Sequence, residues 1–203
     1  MHKKLFIFDL DGVLVDACEW HKDALNKALR EVVDYSITTE DHISTFNGIP
    51  TREKLKILSE RGIVPAGLHG TISSLKQEKT IQIIEKKAFK RKEKIELLKE
   101  IKENNHIICC YTNSISKTTN LMLEKTGIRE FFKIILTNED VKKPKPDAEG
   151  YNYLINLLDI EKEKCYIIED SPKGKQAAYA SGANVIEVNS VTDVNIELLR
   201  DFI

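Results

Sequence analysis

Short apolar runs that recur along the chain constrain its fold more than any other feature. Each run is nearly continuous, as is typical of a parallel strand that is covered on both faces. Amphipathic helical patterns separate the later runs, and the alternation predicts an α/β fold with a doubly wound parallel sheet. The runs are 4–8 (KLFIF), 106–111 (HIICCY), 133–136 (KIIL), 165–168 (CYII) and 183–188 (ANVIEV), and the helical patterns are 92–102, 115–126, 148–158 and 172–181.

The stretch between residues 16 and 90 breaks this alternation. It shows helical periodicity at 17–33, 51–61 and 72–88, with turn signals such as Asn47-Gly48 between the helices. We therefore expect an all-helical unit inserted after the first strand. The predicted division is a core of residues 1–15 and 91–203 and a helical insert of residues 16–90.

Composition excludes several classes of function. The formal net charge is -1, so no global field favours nucleic acid or an anionic membrane. No apolar run approaches the roughly 20 residues that span a bilayer. The four cysteines form no C-x-x-C pair, and we interpret them as small buried hydrophobic residues in a reducing cytoplasm.

Polar residues follow the first two predicted strands. Asp9 and Asp11 are two residues apart, so both should project the same way from an extended segment, and a divalent cation would relieve their repulsion. Thr112, Asn113 and Ser114 follow the second run and precede a helix, an arrangement suited to hold an anion. Taken alone, the first motif also fits an ordinary turn and the second fits helix capping.

Two further motifs follow later strands. Lys143 is fixed by Pro144 and would present a preset positive charge to a phosphoryl group. Glu169 and Asp170 add two acids at another strand end, and carboxylate oxygens are what Mg2+ prefers. Ligands bind beyond the carboxyl ends of parallel strands, so these motifs should meet there. Together they fit phosphoryl transfer through a carboxylate nucleophile.

The order of these motifs resembles the haloacid dehalogenase superfamily of hydrolases. FDLDGV resembles its first motif, YTNS its second, KKPKPD its third and IIEDS its fourth. The helical insert sits where that family carries a C1 cap domain, and the nearest branch resembles beta-phosphoglucomutase and phosphoglycolate phosphatase. The resemblance implies a Rossmannoid core and an Mg2+-dependent enzyme of the cytoplasm.

The resemblance also implies roles for individual residues. Asp9 would attack phosphorus and form an aspartyl-phosphate, and Asp11 would protonate the leaving oxygen and then activate water. Thr112 would hydrogen-bond the phosphoryl group with Asn113 beside it, and Lys143 would join Asp9 to the phosphate.

The implied metal site is acidic. Asp170 would bind Mg2+ together with Asp9 and the backbone carbonyl of Asp11, and Glu169 would assist at this acidic end.

Three functions stay open at this point. The presence of Asp11 favours a phosphatase that acts on a small phosphorylated metabolite, as a monomer. A sugar phosphomutase is the alternative, since His21, Arg52 and Lys76 fall near cap positions that bind sugar phosphate in beta-phosphoglucomutases. For Arg52 and Lys76 we favour ordinary surface charge over substrate binding. The third function is a non-catalytic protein that binds a phosphometabolite.

Overall fold

A five-stranded parallel sheet forms the centre of the molecule, with strand order β3-β2-β1-β4-β5. The computed structural model describes residues 3–203, so the first two residues of the predicted core lie outside the described range. The strands are β1 (Leu5–Phe8), β2 (Ile107–Tyr111), β3 (Ile134–Leu136), β4 (Cys165–Glu169) and β5 (Asn184–Glu187). This order confirms the predicted doubly wound α/β fold.

The helices follow the predicted periodicities closely. The longer ones are α1 (Cys18–Val33), α2 (Thr51–Glu60), α3 (His69–Lys87), α4 (Lys92–Glu103), α5 (Ser116–Lys125), α6 (Glu149–Leu158) and α7 (Pro172–Ser181). Single helical turns lie at Thr39–Asp41, Ala66–Leu68, Arg129–Phe131, Lys162–Lys164, Val191–Asp193, Ile196–Leu199 and Arg200–Phe202, and a short π-helix lies at His42–Phe46. In residues 3–203, no helix has the length and apolar character needed to cross a membrane.

Two apolar layers cover the two faces of the sheet. Successive strand residues point to opposite faces, so Cys110 packs in the layer beneath α4 and α5, whereas Cys109 packs in the layer beneath α6 and α7. All four cysteines are free thiols. Because both faces are covered, β1 is wholly buried and reads as a continuous apolar run.

A third apolar cluster lies within the inserted segment. It joins α1, α2 and α3 through Leu25, Leu29, Leu55, Leu58 and Ile72. The division into a core and a cap at residues 16 and 90 stays a prediction, but this cluster gives the insert apolar packing of its own.

The strand register determines where the active groups meet. Phe8 at the end of β1 lies beside Cys110 of β2 and Ile168 of β4. The residues that follow these three strands therefore share one edge of the sheet, as expected for parallel strands.

Candidate active site

The chain turns sharply after β1, between the two aspartates Asp9 and Asp11 and the end of β4. The backbone N–H of Asp9 continues the pairing with β4 by donating to the carbonyl of Ile168 (3.0 Å). The chain then turns at Gly12, which has a φ of +98°, and a Cβ there would lie 2.2 Å from Oδ2 of Asp170. Glycine is thus required by both conformation and space, and it allows the turn to pack against the end of β4.

Lys145, and not Lys143, supplies the cation at this edge. Its Nζ lies 2.6 Å from Oδ1 of Asp9 and 2.6 Å from Oε1 of Glu169, and it donates to the carbonyl of Tyr111 (2.9 Å). Lys143 is exposed, so the sequence prediction that it joins Asp9 to the phosphate is wrong.

Backbone contacts explain this correction. The N–H of Lys143 donates to Oε2 of Glu149 at the surface, near the start of α6 (3.0 Å). The N–H of Lys145 instead donates to Oδ1 of Asn113, which lies beyond β2 (3.1 Å). That bond fastens Lys145 over the end of the sheet, and its side chain enters the site.

The side chain of Asn113 connects the lysine loop of the core to the insert. Its amide nitrogen donates to the carbonyl of Gly48 in the insert (2.7 Å) and to the carbonyl of Lys145 (2.9 Å). Both amide hydrogens are used, so the side chain has none left for a phosphoryl oxygen. The predicted place of Asn113 beside the phosphoryl group stays a prediction, with the side-chain amide committed to these two carbonyls.

Asp11 is surrounded by hydrogen-bond donors. Its Oδ2 accepts from the hydroxyls of Ser114 (2.7 Å) and Thr112 (3.2 Å), and its Oδ1 lies 3.0 Å from Nε2 of His21. Burial raises the pKa of Asp11, but the charge interaction and hydrogen bond with His21 and the bond from Ser114 outweigh it and lower the pKa to about 2. Asp11 is therefore an ionised carboxylate at neutral pH.

Ser114 is one of the three polar residues before α5 for which the sequence left anion binding and helix capping open. The capping position belongs to Ile115, without a side-chain cap bond. The Ser114 hydroxyl contacts Asp11 instead. Thr112 is buried and bonded to the same carboxylate, so its predicted contact with a phosphoryl group stays a prediction.

Asp9 also belongs to a cluster of three carboxyl groups. Oxygen atoms of Asp9, Glu169 and Asp170 lie within 4.8 Å of one another. Burial raises the pKa of Asp9 well above its ordinary value, against the opposing charge of Lys145. Burial and the charge of Glu169 raise the pKa of Asp170 to about 7. Three carboxyl groups thus share the charge of Lys145, and ionising all three is unfavourable unless a further positive charge joins them.

Asp170 contributes a fully buried oxygen atom to this cluster. Its Oδ1 is buried and has no hydrogen-bond partner among residues 3–203. Glu169 is occupied, since Oε1 contacts Lys145 and Oε2 accepts from the backbone and hydroxyl of Ser171 (2.9 and 3.2 Å). An unpartnered buried oxygen among hard carboxylate ligands fits a divalent cation such as Mg2+. The Asp11 side chain lies outside this group, and the predicted part of its backbone carbonyl stays a prediction.

Side chains of the insert form the opposite wall of the cavity. His21 on α1 reaches Asp11, and Nζ of Lys76 on α3 lies 3.2 Å from Nδ1 of His21. Burial and the charge of Lys76 lower the pKa of His21. Lys76 itself is buried, so the interpretation of this residue as ordinary surface charge is wrong.

Two other cations of the insert line the same cavity. Arg52 is exposed at the start of α2, where it pairs with the neighbouring Glu53 (3.3 Å), as expected for surface charge. Lys54, one turn into α2, was not a predicted site residue, but it is buried and its side chain lines the cavity. Its spacing from the buried Leu58 at i+4 was the signal that could have found it.

Similar proteins share this arrangement of the chain. A "Phosphorylated carbohydrates phosphatase" of Thermotoga maritima is 26% identical over 201 residues, which covers 92% of this chain and 86% of the relative. A CbbY structure from Rhodobacter sphaeroides in complex with xylulose-(1,5)bisphosphate superposes with a TM-score of 0.83 at 22% identity, covering 92% of this chain and 86% of that one. A beta-phosphoglucomutase from Clostridium difficile has a TM-score of 0.83 at 22% identity, over 99% and 97% of the two chains. At these identities the structures show a shared fold.

The family model for "Haloacid dehalogenase-like hydrolase" matches residues 6–188. The match runs from β1 to the residue after β5 and so includes the acid pair, the Lys145 loop, the acidic end of β4 and the helical insert. The chain therefore belongs to the haloacid dehalogenase-like hydrolases.

Proposed function

We propose that this hydrolase removes phosphate from a small phosphorylated metabolite, with Asp9 as the nucleophile and Mg2+ as the cofactor. The observation that carries the proposal is the Asp9 carboxylate, which is buried between the Lys145 ammonium (2.6 Å) and the acidic cluster with Asp170. A carboxylate placed beside a fixed cation is suited to attack phosphorus and form an acyl-phosphate. The phosphatase name of the Thermotoga maritima relative supports the same class of substrate.

The carboxyl groups at the ends of β1 and β4 would form the Mg2+ site. Asp9 and Asp170 would hold Mg2+, with Glu169 behind them and bonded to Lys145. When bound, Mg2+ neutralises charge on the phosphoryl oxygens and on the carboxylates around it. Lys145 contributes a second positive charge at Asp9, in a buried position where electrostatic interactions are strong.

Asp11 is placed to handle protons. Its low pKa keeps it ionised in the free protein, and this is the form that accepts a proton from water during hydrolysis of the acyl-phosphate. Hydrogen bonds from Ser114 and Thr112 fix the carboxylate, and His21 at 3.0 Å is a partner through which its proton can be exchanged. These contacts orient Asp11 independently of the metal cluster.

The experiment that tests the proposal measures phosphate release and traps the intermediate. Purified protein is assayed with p-nitrophenyl phosphate and a panel of sugar phosphates, with and without Mg2+. We expect Mg2+-dependent release and, after acid quenching, a phosphorylated peptide that contains Asp9. Asp9→Asn should abolish both signals while the circular dichroism spectrum stays unchanged. Activity of Asp9→Asn within tenfold of the unsubstituted enzyme would refute the covalent route.

A sugar phosphomutase is the second candidate, and the wall formed by His21 and Lys76 is the observation that favours it. Product analysis separates the two reactions: a phosphatase yields free phosphate, whereas a mutase yields an isomerised sugar phosphate and depends on a bisphosphate activator. If neither product forms with any ester while the protein still binds phosphate esters, the non-catalytic alternative is supported. The monomeric state and cytoplasmic location expected from the sequence stay predictions.

A further inference from the structure

The ammonium of Lys145 has two aromatic rings beside it, in addition to the two carboxylates and the carbonyl that accept its hydrogen bonds. Its Nζ lies 4.8 Å from the centre of the Tyr111 ring and 5.1 Å from the centre of the Tyr151 ring. Both distances are within the range at which the negative face of a ring attracts a cation. All three side chains are buried, so water screens this attraction little.

The two rings support each other in an edge-to-face arrangement. Their centres are 4.9 Å apart and their planes are inclined by 87°, a geometry that aromatic pairs prefer. Tyr111 ends β2 and Tyr151 lies in the first turn of α6, so the pair joins the sheet to the helix. Gly150 makes the contact possible, because a Cβ there would lie 2.3 Å from Cζ of Tyr111. The packing of α6 against β2 therefore fixes both rings.

The ring faces, and not the Tyr151 hydroxyl, are the part of this pair that acts on Lys145. The hydroxyl donates to Oε1 of Glu169 at 3.4 Å, which is long for a hydrogen bond between two oxygens. Among residues 3–203, the lining of the catalytic cavity includes Lys145 and Asp9 but neither tyrosine. A substrate in the cavity would therefore meet the lysine and not the rings.

A lysine in this position needs such support. Its flexible four-carbon stem leaves the ammonium free to choose among acceptors. Glu169 competes with Asp9 for Nζ, since each carboxylate has an oxygen 2.6 Å away. An ammonium that moved away from Asp9 would no longer face the reacting carboxylate. The two rings occupy space beside the ammonium that it would otherwise use to move.

We infer that Tyr151 and Tyr111 are positioning residues, whose ring faces hold the Lys145 ammonium against Asp9. The inference rests on the proposed function, since it gives the two rings a part in the reaction at Asp9. Because the rings act through Lys145, their effect should disappear when that lysine is replaced. It should also fall mainly on kcat, because the rings do not line the cavity that the substrate enters.

Substitutions of Tyr151 separate the ring from the hydroxyl. Tyr151→Phe keeps the ring and should retain kcat within about threefold. Tyr151→Leu removes the ring and should lower kcat by about 10 to 30-fold with little change in KM, the factor that corresponds to one desolvated cation–π contact. Tyr153→Leu is the matched control, because Tyr153 lies two residues along α6 and is 50% exposed, and its kcat should not change. An equal loss in Tyr151→Phe, or no loss in Tyr151→Leu, overturns the inference.

A double-mutant cycle distinguishes positioning from general loosening of the fold. The kcat of Lys145→Met is compared with that of Lys145→Met/Tyr151→Leu, using p-nitrophenyl phosphate and a high enzyme concentration. If the ring acts through the ammonium, the second substitution has nothing left to change, and the two values should agree within about threefold. A structural defect would lower kcat by the same factor in both backgrounds, and that result overturns the inference.

Chemical labelling tests the inference without any hydrolysis. Reductive methylation is followed by mass spectrometry at Lys145 and at Lys94, a buried lysine of α4 whose ammonium donates to the carbonyls of Val191 and Val194. Lys145 should stay protected in the unsubstituted protein and in Tyr151→Phe. In Tyr151→Leu it should become about 10 to 30 times more reactive, because the released fraction rises by the factor that the contact supplies. Lys94 should not change.

The labelling also separates this inference from the proposed reaction. If Lys145 is labelled as expected but the unsubstituted protein hydrolyses no ester, the rings hold the lysine and the proposed hydrolysis fails. If esters are hydrolysed and Lys145 stays protected in Tyr151→Leu, the inference fails alone. A parallel rise at Lys94 would mean that the whole core has loosened, which also overturns the inference.

Discussion

The Nζ atom of Lys145 lies 2.6 Å from Oδ1 of Asp9 although 136 positions separate the two residues along the chain. Lys145 lies beyond the end of β3 and Asp9 directly beyond the end of β1, and the strand order places β2 between them. The contact is therefore made across the edge of the sheet, above β2, where Nζ also donates to the carbonyl of Tyr111. The pair depends on the fold as a whole and on no local motif.

Removing this ammonium should disable the enzyme. We expect Lys145→Met to lower kcat by about 10² to 10³-fold, as with other fixed charges that face a reacting group. Lys143→Met is the control, because Lys143 is exposed and should retain kcat within about threefold. Steady-state kinetics of the two variants with p-nitrophenyl phosphate decide the assignment, and a larger loss in Lys143→Met contradicts it.

The acidic cluster should make the stability of the protein depend on Mg2+. Burial and the charge of Glu169 work against the ionised Asp170, and a bound cation removes that penalty. We expect Mg2+ to raise the Tm of the unsubstituted protein and EDTA to reverse the change. Asp170→Asn should have a higher Tm than the unsubstituted protein in EDTA and a much smaller response to Mg2+. An equal Mg2+ response in both proteins argues against Asp170 as a ligand.

Gly174 should tolerate no side chain, because Glu169 lies against it. A Cβ at Gly174 would be 1.7 Å from Oε1 of Glu169, the atom that contacts Lys145. We expect Gly174→Ala to lower the free energy of unfolding by about 1–3 kcal/mol and to reduce activity as well. Gly70→Ala, in α3 with open space around it, should leave both unchanged or slightly raise stability. Urea unfolding and phosphatase assays on the two variants provide the comparison.

Lys54 should cost the protein stability at neutral pH. Its pKa of about 8 in the folded state lies below the ordinary value of 10.5, so folding disfavours the charged form. The penalty is fully present below pH 8 and is relieved as the pH rises from about 8 to about 10.5. At pH 7 the free energy of unfolding of Lys54→Met should therefore be roughly 1–3 kcal/mol higher than that of the unsubstituted protein.

The pH dependence provides the check on that interpretation. Urea unfolding at several pH values should show the advantage of Lys54→Met shrinking as the pH rises above 8. Lys56→Met, with an exposed side chain, should show no such trend. An advantage that is constant between pH 7 and pH 10 would mean that packing, and not charge, separates the two proteins.

The fold was predictable from the sequence because the apolar periodicities carry it. The run LFIF is buried on both faces, and a strand with that environment has to be continuous in apolar residues. The acid pair was predictable for the same reason, since polar residues directly after such a run must lie at the strand end. Asp9, Asp11 and Asp170 lie at the predicted edge of the sheet.

The choice between lysines was not predictable from local sequence. Lys143 and Lys145 both precede a proline, and what distinguishes them is long-range: Lys145 is hydrogen-bonded to the side chain of Asn113. Lys76 was misinterpreted for a different reason, because lysine is usually a surface residue. Its spacing between Ile72 and Thr80 places it on the buried side of α3, a signal that outweighs residue type.

The Asn113 amide nitrogen donates two hydrogen bonds, one to Gly48 in the insert and one to Lys145 in the core. This arrangement has a consequence for movements of the insert. Any displacement of the Gly48 loop breaks one of the two bonds and leaves the other in place. A single exchanged hydrogen bond costs only about 1 kcal/mol net, because water replaces the lost partner. On this account a displacement of Gly48 costs little, and the hydrogen bonds between Asn113 and Lys145 do not depend on it.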